Sequence, residues 1–164
     1  MKQVSLIFLV KNNNGKKEIL LAMKKRGFGK GKWNGVGGKF DEKMGDRTIE
    51  EAAIREAKEE IGVDVSNIQK VAVIDFYFSF VPEDQNWNQQ VHVYFCDKWE
   101  GEPQESEEMA PQWFDENSLP YYSMWEDDKY WLPKALAGEK FKAKFVFDKN
   151  ENVIKKETVF SDFE

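Results

Sequence analysis

Cysteine and histidine each occur once in this sequence of 164 residues, as Cys96 and His92. A single cysteine excludes an intramolecular disulfide, which suits a reducing compartment and favours a cytoplasmic location. A single histidine excludes a metal site made of several histidine side chains. Both residues fall inside a predicted strand, where we expect them to have structural roles.

Long apolar runs are also missing. No stretch approaches the roughly 20 apolar residues that a membrane-spanning helix requires, so we expect no membrane partner. The apolar segment at residues 4–10 lacks a small-residue cleavage site and runs directly into Lys-Asn-Asn-Asn-Gly at residues 11–15. This pattern predicts a buried strand rather than a signal peptide.

Positive charge is in deficit, because 24 Lys and Arg residues stand against 30 Asp and Glu residues, for a net charge of -6. This balance disfavours binding of long nucleic acid through its phosphates. It does not disfavour a nucleotide, since a bound metal ion can invert the local field.

The length and a composition of 41% hydrophobic and 33% charged residues predict one globular domain over residues 1–164, which we expect to be a monomer.

Strand and helix patterns alternate along the chain. Residues 48–62 predict a helix, because Thr48 and Glu51 form a capping box and Gly62 follows the last apolar position. The other predicted elements are a hairpin at 4–10 and 18–23, strands at 71–81, 91–99 and 112–114, a polar loop at 82–89, a turn at 117–122, a helix at 127–137, and a hairpin at 140–147 and 152–160. Together they predict an α+β domain with a mixed sheet.

Three carboxylates share one face of the first predicted helix. Glu56, Glu59 and Glu60 stand at i, i+3 and i+4. We expect Ile54, Ala57 and Ile61 to pack against the core from roughly the opposite side. Because like charges at this spacing repel, the face predicts a bound hard divalent cation. A solvated acidic surface is the alternative.

A basic, glycine-rich loop at residues 24–39 precedes this helix. Gly37 and Gly38 would allow the backbone to approach phosphate or metal closely, and a simple turn requirement is compatible with that role. Lys24 and Lys39 are candidates for phosphate contact, with ordinary surface lysines as the alternative.

The loop and helix together resemble the Nudix hydrolases, whose motif is Gly-x5-Glu-x7-Arg-Glu-U-x-Glu-Glu-x-Gly-U, with U an apolar residue. Residues 55–63 match the second half of this motif. The first half departs from it, because Arg47 stands where the motif has Glu and Asp41 where it has Gly. An insertion of about three residues between these two positions would make Gly38 the motif glycine. It would leave Asp46 as the acid nearest the displaced glutamate, and we assign Asp46 no metal role.

Five further blocks resemble the Nudix branch that hydrolyses oxidised purine nucleoside triphosphates. They lie at residues 23–29, 33–35, 106–109, 113–114 and 124–128. The resemblance implies a sheet sandwiched between helices, Mg²⁺ or Mn²⁺ as the cofactor, and hydrolysis of a nucleotide to its monophosphate and pyrophosphate. Arg55 would orient a neighbouring carboxylate or carbonyl, and Glu108 would be an added metal ligand or base; structural and surface roles are the alternatives. The implied catalytic and metal-binding groups are Gly38, Arg55, Glu56, Glu59, Glu60 and Glu108.

The resemblance also implies a purine pocket around Trp125, Asp127 and Asp128. Trp125 would stack on the base, and because two close carboxylates rarely both ionise, one would donate a hydrogen bond while the other accepts. Helix capping by an aspartate beside a core tryptophan is the alternative. Asn34 would complete the readout of the base edge, or serve only as a turn residue. The remaining walls would be Phe28, Phe76 and Phe78, which are otherwise plain core aromatics.

Two other functions stay open. One is the same chemistry on another nucleotide, such as an undamaged triphosphate, a nucleotide sugar or a dinucleotide. The other is a module that binds nucleotide without hydrolysing it, which the altered first half of the motif suggests and the three retained glutamates oppose. Trp87 and Gln89 in the polar loop stand where we expect an apolar pocket wall, so the preferred oxidised purine is also open.

Overall fold

A mixed β-sheet forms the centre of the molecule in the computed structural model, which describes residues 1–85, 87–161 and 163. In chain order the strands are β1 (Lys2–Asn13), β2 (Lys16–Lys24), β3 (Trp33–Asn34), β4 (Asp64–Ser66), β5 (Gln69–Phe78), β6 (Gln89–Cys96), β7 (Lys98–Glu100), β8 (Met109–Asp115), β9 (Phe141–Phe147) and β10 (Val153–Phe160). The helices are α1 (Ile49–Ile61) and α2 (Asp128–Leu136).

The main sheet of the described residues has eight strands in the order β10-β9-β5-β6-β1-β2-β3, with β8 also paired to β2. Strands β1 and β6 run parallel, as do β5 and β9, while the other named pairs are antiparallel. A separate ribbon pairs β4 with β7. The predicted mixed sheet is therefore confirmed.

Helices cover both faces of the main sheet. Successive side chains of a strand point to opposite faces, so Ile7 of β1 packs in the core under α1 while Phe8 packs in the core under α2. The core under α2 includes the fully buried Trp131. This arrangement confirms the predicted sandwich of one sheet between helices.

Both predicted hairpins are present. The first turns at Asn14 and Gly15, whose φ angles of 53° and 82° suit the tight two-residue turn that matches the twist of paired strands. The second joins β9 to β10, with Asp148 Oδ1 accepting hydrogen bonds from the backbone N–H groups of Asn150 and Asn152. In the part of the chain that the structure describes, no helix is long and apolar enough to span a bilayer.

Helix α1 begins and ends as predicted, but its buried face differs from the prediction. Thr48 Oγ1 accepts a hydrogen bond from the Glu51 N–H, and Gly62 ends the helix with a φ of 74°. Ile54 is 40% exposed, so the prediction that it packs against the core is wrong. Ala57 and Ile61 are buried as predicted, and Ile54 stands about 60° away from Ala57 around the helix axis.

Several strand boundaries also differ from the prediction. The predicted strand at 91–99 ends at Cys96, because the chain turns at Asp97 and pairs β7 with the unpredicted β4. Strand β5 ends at Phe78, three residues before its predicted end, and β8 is longer than predicted because it pairs along most of β2. The predicted loop at 82–89 contains a single 3₁₀ turn and includes Asn86, which lies outside the described residues.

Candidate functional site

Two cavities adjoin where Lys24 and Gly37 line both of them. We call the first the acidic cavity; it has a volume of about 460 Å³, and its walls include Glu56, Glu59, Glu60 and Glu108. We call the second the aromatic cavity; it has a volume of about 230 Å³. The structure thus brings the predicted metal-binding and base-binding residues to one continuous site.

Helix α1 supplies most of the carboxylates that line the acidic cavity. Glu60 is buried, and its burial together with the charge of Glu56 raises the pKa of Glu60 to about 8. Burial also raises the pKa of Glu56. The Gly37 N–H donates to Glu60 Oε2 at 3.3 Å, which offsets only part of this cost. A carboxylate cluster whose ionised form is disfavoured in this way is suited to a divalent cation.

Gly37 and Gly38 bring the loop backbone directly against its neighbours. A Cβ atom at Gly38 would stand 2.5 Å from Glu56 Oε1, and one at Gly37 would stand 2.0 Å from the Ser5 carbonyl oxygen. The sequence at these positions is therefore limited to glycine by close approach. The Gly38 carbonyl accepts hydrogen bonds from the N–H and Oγ–H of Ser5. A metal contact by this carbonyl, which stays a prediction, would have to displace one of them.

Arg55 links the carboxylates of the acidic cavity to a buried acid outside it. Its guanidinium donates to Asp46 through two nitrogens, at 2.9 and 2.7 Å. Its third nitrogen donates to Glu56 at 3.0 Å and to Glu59 at 3.2 Å. The hydrogen bonds from Arg55 lower the pKa of Asp46, and those to Asp46 raise the pKa of Arg55. Arg55 therefore orients neighbouring carboxylates, as we expected from the sequence.

The altered first half of the motif folds so that Asp46 lies beside Arg55. Residues Glu42–Met44 form a 3₁₀ turn in which the Asp41 side chain accepts a hydrogen bond from the Lys43 N–H, and Gly45 closes the turn with a φ of 94°. The Asp41 N–H then donates to Asp46 Oδ2 at 3.0 Å. The insertion thus forms a compact turn that returns Asp46 to Arg55.

The donor set of the acidic cavity fits a hard divalent cation. Its side-chain oxygens come from carboxylates, the ligands that Mg²⁺ and Mn²⁺ prefer. Among the residues that the structure describes, no three carboxylate, histidine or cysteine side chains already form a metal-binding group. Arg55 instead holds oxygens of Glu56 and Glu59. A cation would be held by Glu60 together with Glu56 and Glu59, once the last two turn from Arg55, with Glu108 in the same cavity wall.

The basic residues near the acidic cavity differ in whether their side chains line it. Glu108 lies 3.5 Å from a guanidinium nitrogen of Arg26, and its carbonyl accepts from the Lys25 N–H at 2.8 Å. Lys24 lines both cavities, as expected of a phosphate contact. Lys39 is exposed and lines neither cavity, and only its carbonyl joins the site by accepting from Arg55. The geometry therefore does not support Lys39 as a phosphate contact.

The aromatic cavity contains every residue that we expected to contact the base. Its walls include Phe28, Asn34, Phe76, Phe78, Trp125, Asp127 and Asp128. The Trp125 ring lies 5.0 Å from that of Phe28 at an interplanar angle of 32°. Asn34 Oδ1 accepts from the Gly35 N–H at 2.8 Å, so Asn34 has the turn role as well as a place in the wall.

The two aspartates at the start of α2 are nearly inaccessible to solvent. Asp127 is 3% and Asp128 2% exposed. Burial raises the pKa of Asp127 to about 6, and burial together with the neighbouring Asp127 raises the pKa of Asp128 well above its usual range. Trp131 Nε1 donates to Asp127 Oδ2 at 2.7 Å, which favours the ionised form of Asp127. These shifts favour retention of a proton by the pair, more strongly on Asp128 than on Asp127.

The capping alternative for these aspartates does not hold. Asp127 precedes α2 in a helical conformation, and its side chain makes no capping hydrogen bond. Asp128 Oδ2 is buried and has no hydrogen-bond partner among the described residues. Buried polar atoms are normally paired, so this oxygen in the cavity wall indicates a ligand contact.

Other predicted residues lie where a structural role suffices, and several lining residues, among them the charged Lys32, were missed. Cys96 is buried, and His92 Nε2 lies 2.7 Å from Gln3 Oε1; neither lines a cavity. Lys32 lines the aromatic cavity with its ammonium 5.0 Å from the Trp125 ring centroid. Its place in the basic loop beside Asn34 was the signal that could have identified it.

Residues 1–135 of this chain match the NUDIX domain, which is well over half of the sequence. The chain belongs to the NUDIX domain family. The resemblance noted in the sequence is therefore confirmed. Members of this family act on small nucleotide substrates and use divalent metal ions.

Two curated relatives extend the similarity of this NUDIX domain. The chain is 44% identical over 136 residues to an oxidized purine nucleoside triphosphate hydrolase from Mus musculus and equally to one from Danio rerio. In both comparisons 83% of each protein is covered. Among solved structures, a mutator MutT protein from Bacillus halodurans is 20% identical with a TM-score of 0.78, covering 96% of this chain and 97% of that one. That likeness shows the shared fold.

Proposed function

We propose that this NUDIX domain hydrolyses oxidised purine nucleoside triphosphates, such as 8-oxo-dGTP and 2-hydroxy-dATP, to the monophosphate and pyrophosphate. The reaction uses Mg²⁺ and keeps damaged purines out of nucleic acid synthesis. The observation that carries the proposal is the buried Asp127–Asp128 pair in an aromatic cavity that opens onto the acidic cavity. The names of the two curated relatives support it.

The aspartate pair can read a purine edge in two ways. Protonated Asp128 donates to a carbonyl or ring nitrogen of the base, while ionised Asp127 accepts from an N–H group. If the proton moves to the other carboxyl, the donor and acceptor positions exchange. One cavity can then bind purines whose oxidised edges differ in donor pattern, with Trp125 providing the stacking surface.

The triphosphate extends from the aromatic cavity into the acidic one. Lys24 stands at the junction of the two, where its ammonium meets a phosphate group. The carboxylates of Glu56, Glu59 and Glu60 would hold the divalent cation, and Glu108 would complete the set. When bound, the cation offsets the charge that develops on the transferred phosphate groups. Until the cation binds, Arg55 holds Glu56 and Glu59 beside the site.

A nucleotide panel tests the proposal. Hydrolysis products are separated by chromatography and quantified with and without Mg²⁺ for 8-oxo-dGTP, 2-hydroxy-dATP, dGTP, dATP, a nucleotide sugar and a dinucleotide polyphosphate, because only the triphosphates release pyrophosphate. We expect Mg²⁺-dependent release with the highest kcat/KM on an oxidised purine. A higher kcat/KM on an undamaged nucleotide, a nucleotide sugar or a dinucleotide would contradict the substrate assignment. Binding without release from any member would instead favour a non-catalytic module.

A further inference from the structure

Trp87 lies at the centre of a cluster of aromatic rings contributed by three segments of the chain. Its ring centroid is 6.3 Å from that of Phe28, 5.9 Å from Phe78 and 5.8 Å from Phe80. The interplanar angles are 73°, 75° and 86°, so each contact is edge to face. Aromatic pairs favour this geometry. Phe28 and Phe78 line the aromatic cavity, whereas Trp87 contacts them from outside it.

Phe28 has little other support. It is 60% exposed and lies between Gly27 and Gly29, whose φ angles of 78° and 84° belong to a tight loop. Its ring contacts those of Trp125 and Trp87. Through Trp87, therefore, the loop that carries Phe28 is tied to the opposite wall of the cavity at Phe78.

The backbone that follows Trp87 is anchored at Asn88. Asn88 Oδ1 accepts from the Phe78 N–H at 3.2 Å, and the Asn88 carbonyl accepts from the Lys2 N–H at 3.2 Å. Trp87 nevertheless stays 41% exposed and belongs to neither hydrophobic core of the described residues. A large apolar side chain held in this way adds little to the core, but it fixes the distance between two cavity walls.

We propose that Trp87 is a positioning residue for the base, which holds Phe28 and Phe78 around a bound oxidised purine. This inference rests on the proposed function. Trp87 lines no part of the acidic cavity, so it acts on affinity for the base and leaves the phosphate chemistry unchanged. It also gives the polar loop before β6 a defined part in substrate selection.

The test compares Trp87→Ala and Trp87→Phe with the parent protein. The control is Tyr122→Ala, which removes an aromatic ring that is 92% exposed. For 8-oxo-dGTP we expect Trp87→Ala to raise KM about fivefold to tenfold and to change kcat less than about twofold. Trp87→Phe should stay within about threefold of the parent KM, because a smaller ring keeps part of the contacts. Tyr122→Ala should match the parent.

A binding measurement without metal separates this inference from the proposed function. The dissociation constant of 8-oxo-dGMP, measured by calorimetry in the presence of EDTA, should rise by the same factor in Trp87→Ala. If the parent neither hydrolyses 8-oxo-dGTP nor binds 8-oxo-dGMP, the proposed function fails. If the parent does both while KM and the dissociation constant are unchanged in Trp87→Ala, the inference about Trp87 fails.

A purely structural role for Trp87 would give another result. The melting temperature and the fraction of active enzyme would fall together, lowering the apparent kcat while KM stayed constant. That outcome would overturn the inference. Should Trp87→Ala fail to fold, Trp87→Leu provides the same comparison, because it keeps apolar bulk and removes the edge-to-face contacts.

Discussion

The acidic and aromatic cavities handle buried negative charge in different ways. In the acidic cavity the carboxylates are paired with a cation from the chain itself, because Arg55 bonds Glu56 and Glu59. In the aromatic cavity Asp127 and Asp128 have no such partner within the described residues, and a retained proton removes one of the two charges. The first arrangement can exchange its counter-charge for a metal ion, whereas the second can exchange donor and acceptor positions. This difference matches one cavity to phosphate chemistry and the other to base recognition.

The cavities also differ in how the chain builds them. Five of the ten residues that line the acidic cavity come from one stretch of loop and helix at 37–60, and the rest come from 24–26 and 106–108. The aromatic cavity combines residues from β2, β3, β5 and β6 with the start of α2. Because its walls come from distant segments, its shape depends on contacts such as those of Trp87.

The largest effect is expected from removing one charge of the acidic cavity. Glu59→Gln should lower kcat for Mg²⁺-dependent pyrophosphate release by more than about 1,000-fold, since the cation supplies several kcal/mol of charge stabilisation. Its melting temperature should stay close to that of the parent, because Glu59 is exposed. Glu102→Gln, at an exposed position outside both cavities, is the control. A kcat near that of the parent would remove the metal site from the proposal.

Removing the negative charge of Asp46, which pairs with Arg55, should have the next largest effect. Asp46→Asn leaves Arg55 without its buried partner and should lower the free energy of unfolding by about 3 kcal/mol, as measured by urea denaturation. It should also lower kcat, since Arg55 would no longer be fixed beside Glu56 and Glu59. Asp46→Glu, which keeps the charge, should recover part of both losses. If both quantities were unchanged in Asp46→Asn, Asp46 would have no positioning role.

The proton of the aspartate pair predicts a pH dependence of stability. The pKa of Asp127 in the folded protein is about 6, above its ordinary value of 3.8. Its contribution to stability is therefore full below the unfolded pKa and is lost as the pH rises through about 6. Between about pH 4 and pH 7 the loss should be up to about 3 kcal/mol, from two pKa units at about 1.4 kcal/mol each.

Urea unfolding of the parent and of Asp127→Asn over this pH range checks that prediction. Subtracting the two curves cancels carboxyl groups that do not contact the pair, including Asp46, whose lowered pKa acts in the opposite direction at lower pH. What remains is the titration of the coupled Asp127–Asp128 pair. The free energy of unfolding of the parent minus that of Asp127→Asn should fall as the pH rises over this range. A flat difference curve would show that Asp127 is ionised normally.

The same two aspartates should control the choice of base. Asp127→Asn and Asp128→Asn each fix one donor and acceptor pattern, so we expect the ratio of kcat/KM for 8-oxo-dGTP and 2-hydroxy-dATP to change by about tenfold. The two variants should move this ratio in opposite directions. Ratios equal to that of the parent in both variants would contradict reading of the base by a shared proton.

The smallest effect is expected from replacing Lys24, which stands at the boundary between the cavities. Lys24→Ala should raise KM about fivefold, because Lys24 is the lysine that lines both cavities. Lys39→Ala, a matched change on the same loop, should change KM less than about twofold, because its side chain lies outside them. Equal effects of the two substitutions would mean that the loop acts through its overall charge.

Much of the fold was predictable, because its signals are local. Thr48 and Gly62 bound α1 by capping, and alternating apolar residues identify most strands. Strand β4 was missed because three residues carry too little periodicity, and its pairing with β7 is a contact between distant segments. Ile54 was misplaced because a pattern of apolar residues allows two neighbouring faces of α1, and only the position of the sheet selects one.

The sequence by itself determined the acidic helix face, because the fixed rotation per residue of a helix places Glu56, Glu59 and Glu60 together wherever the helix lies. It also placed the two aspartates beside each other. Only the tertiary structure decided that Asp46 pairs with Arg55, since the turn at Glu42–Met44 returns it to that side chain. It likewise decided that Asp127 and Asp128 are buried and share a proton, because burial depends on segments far away in the chain.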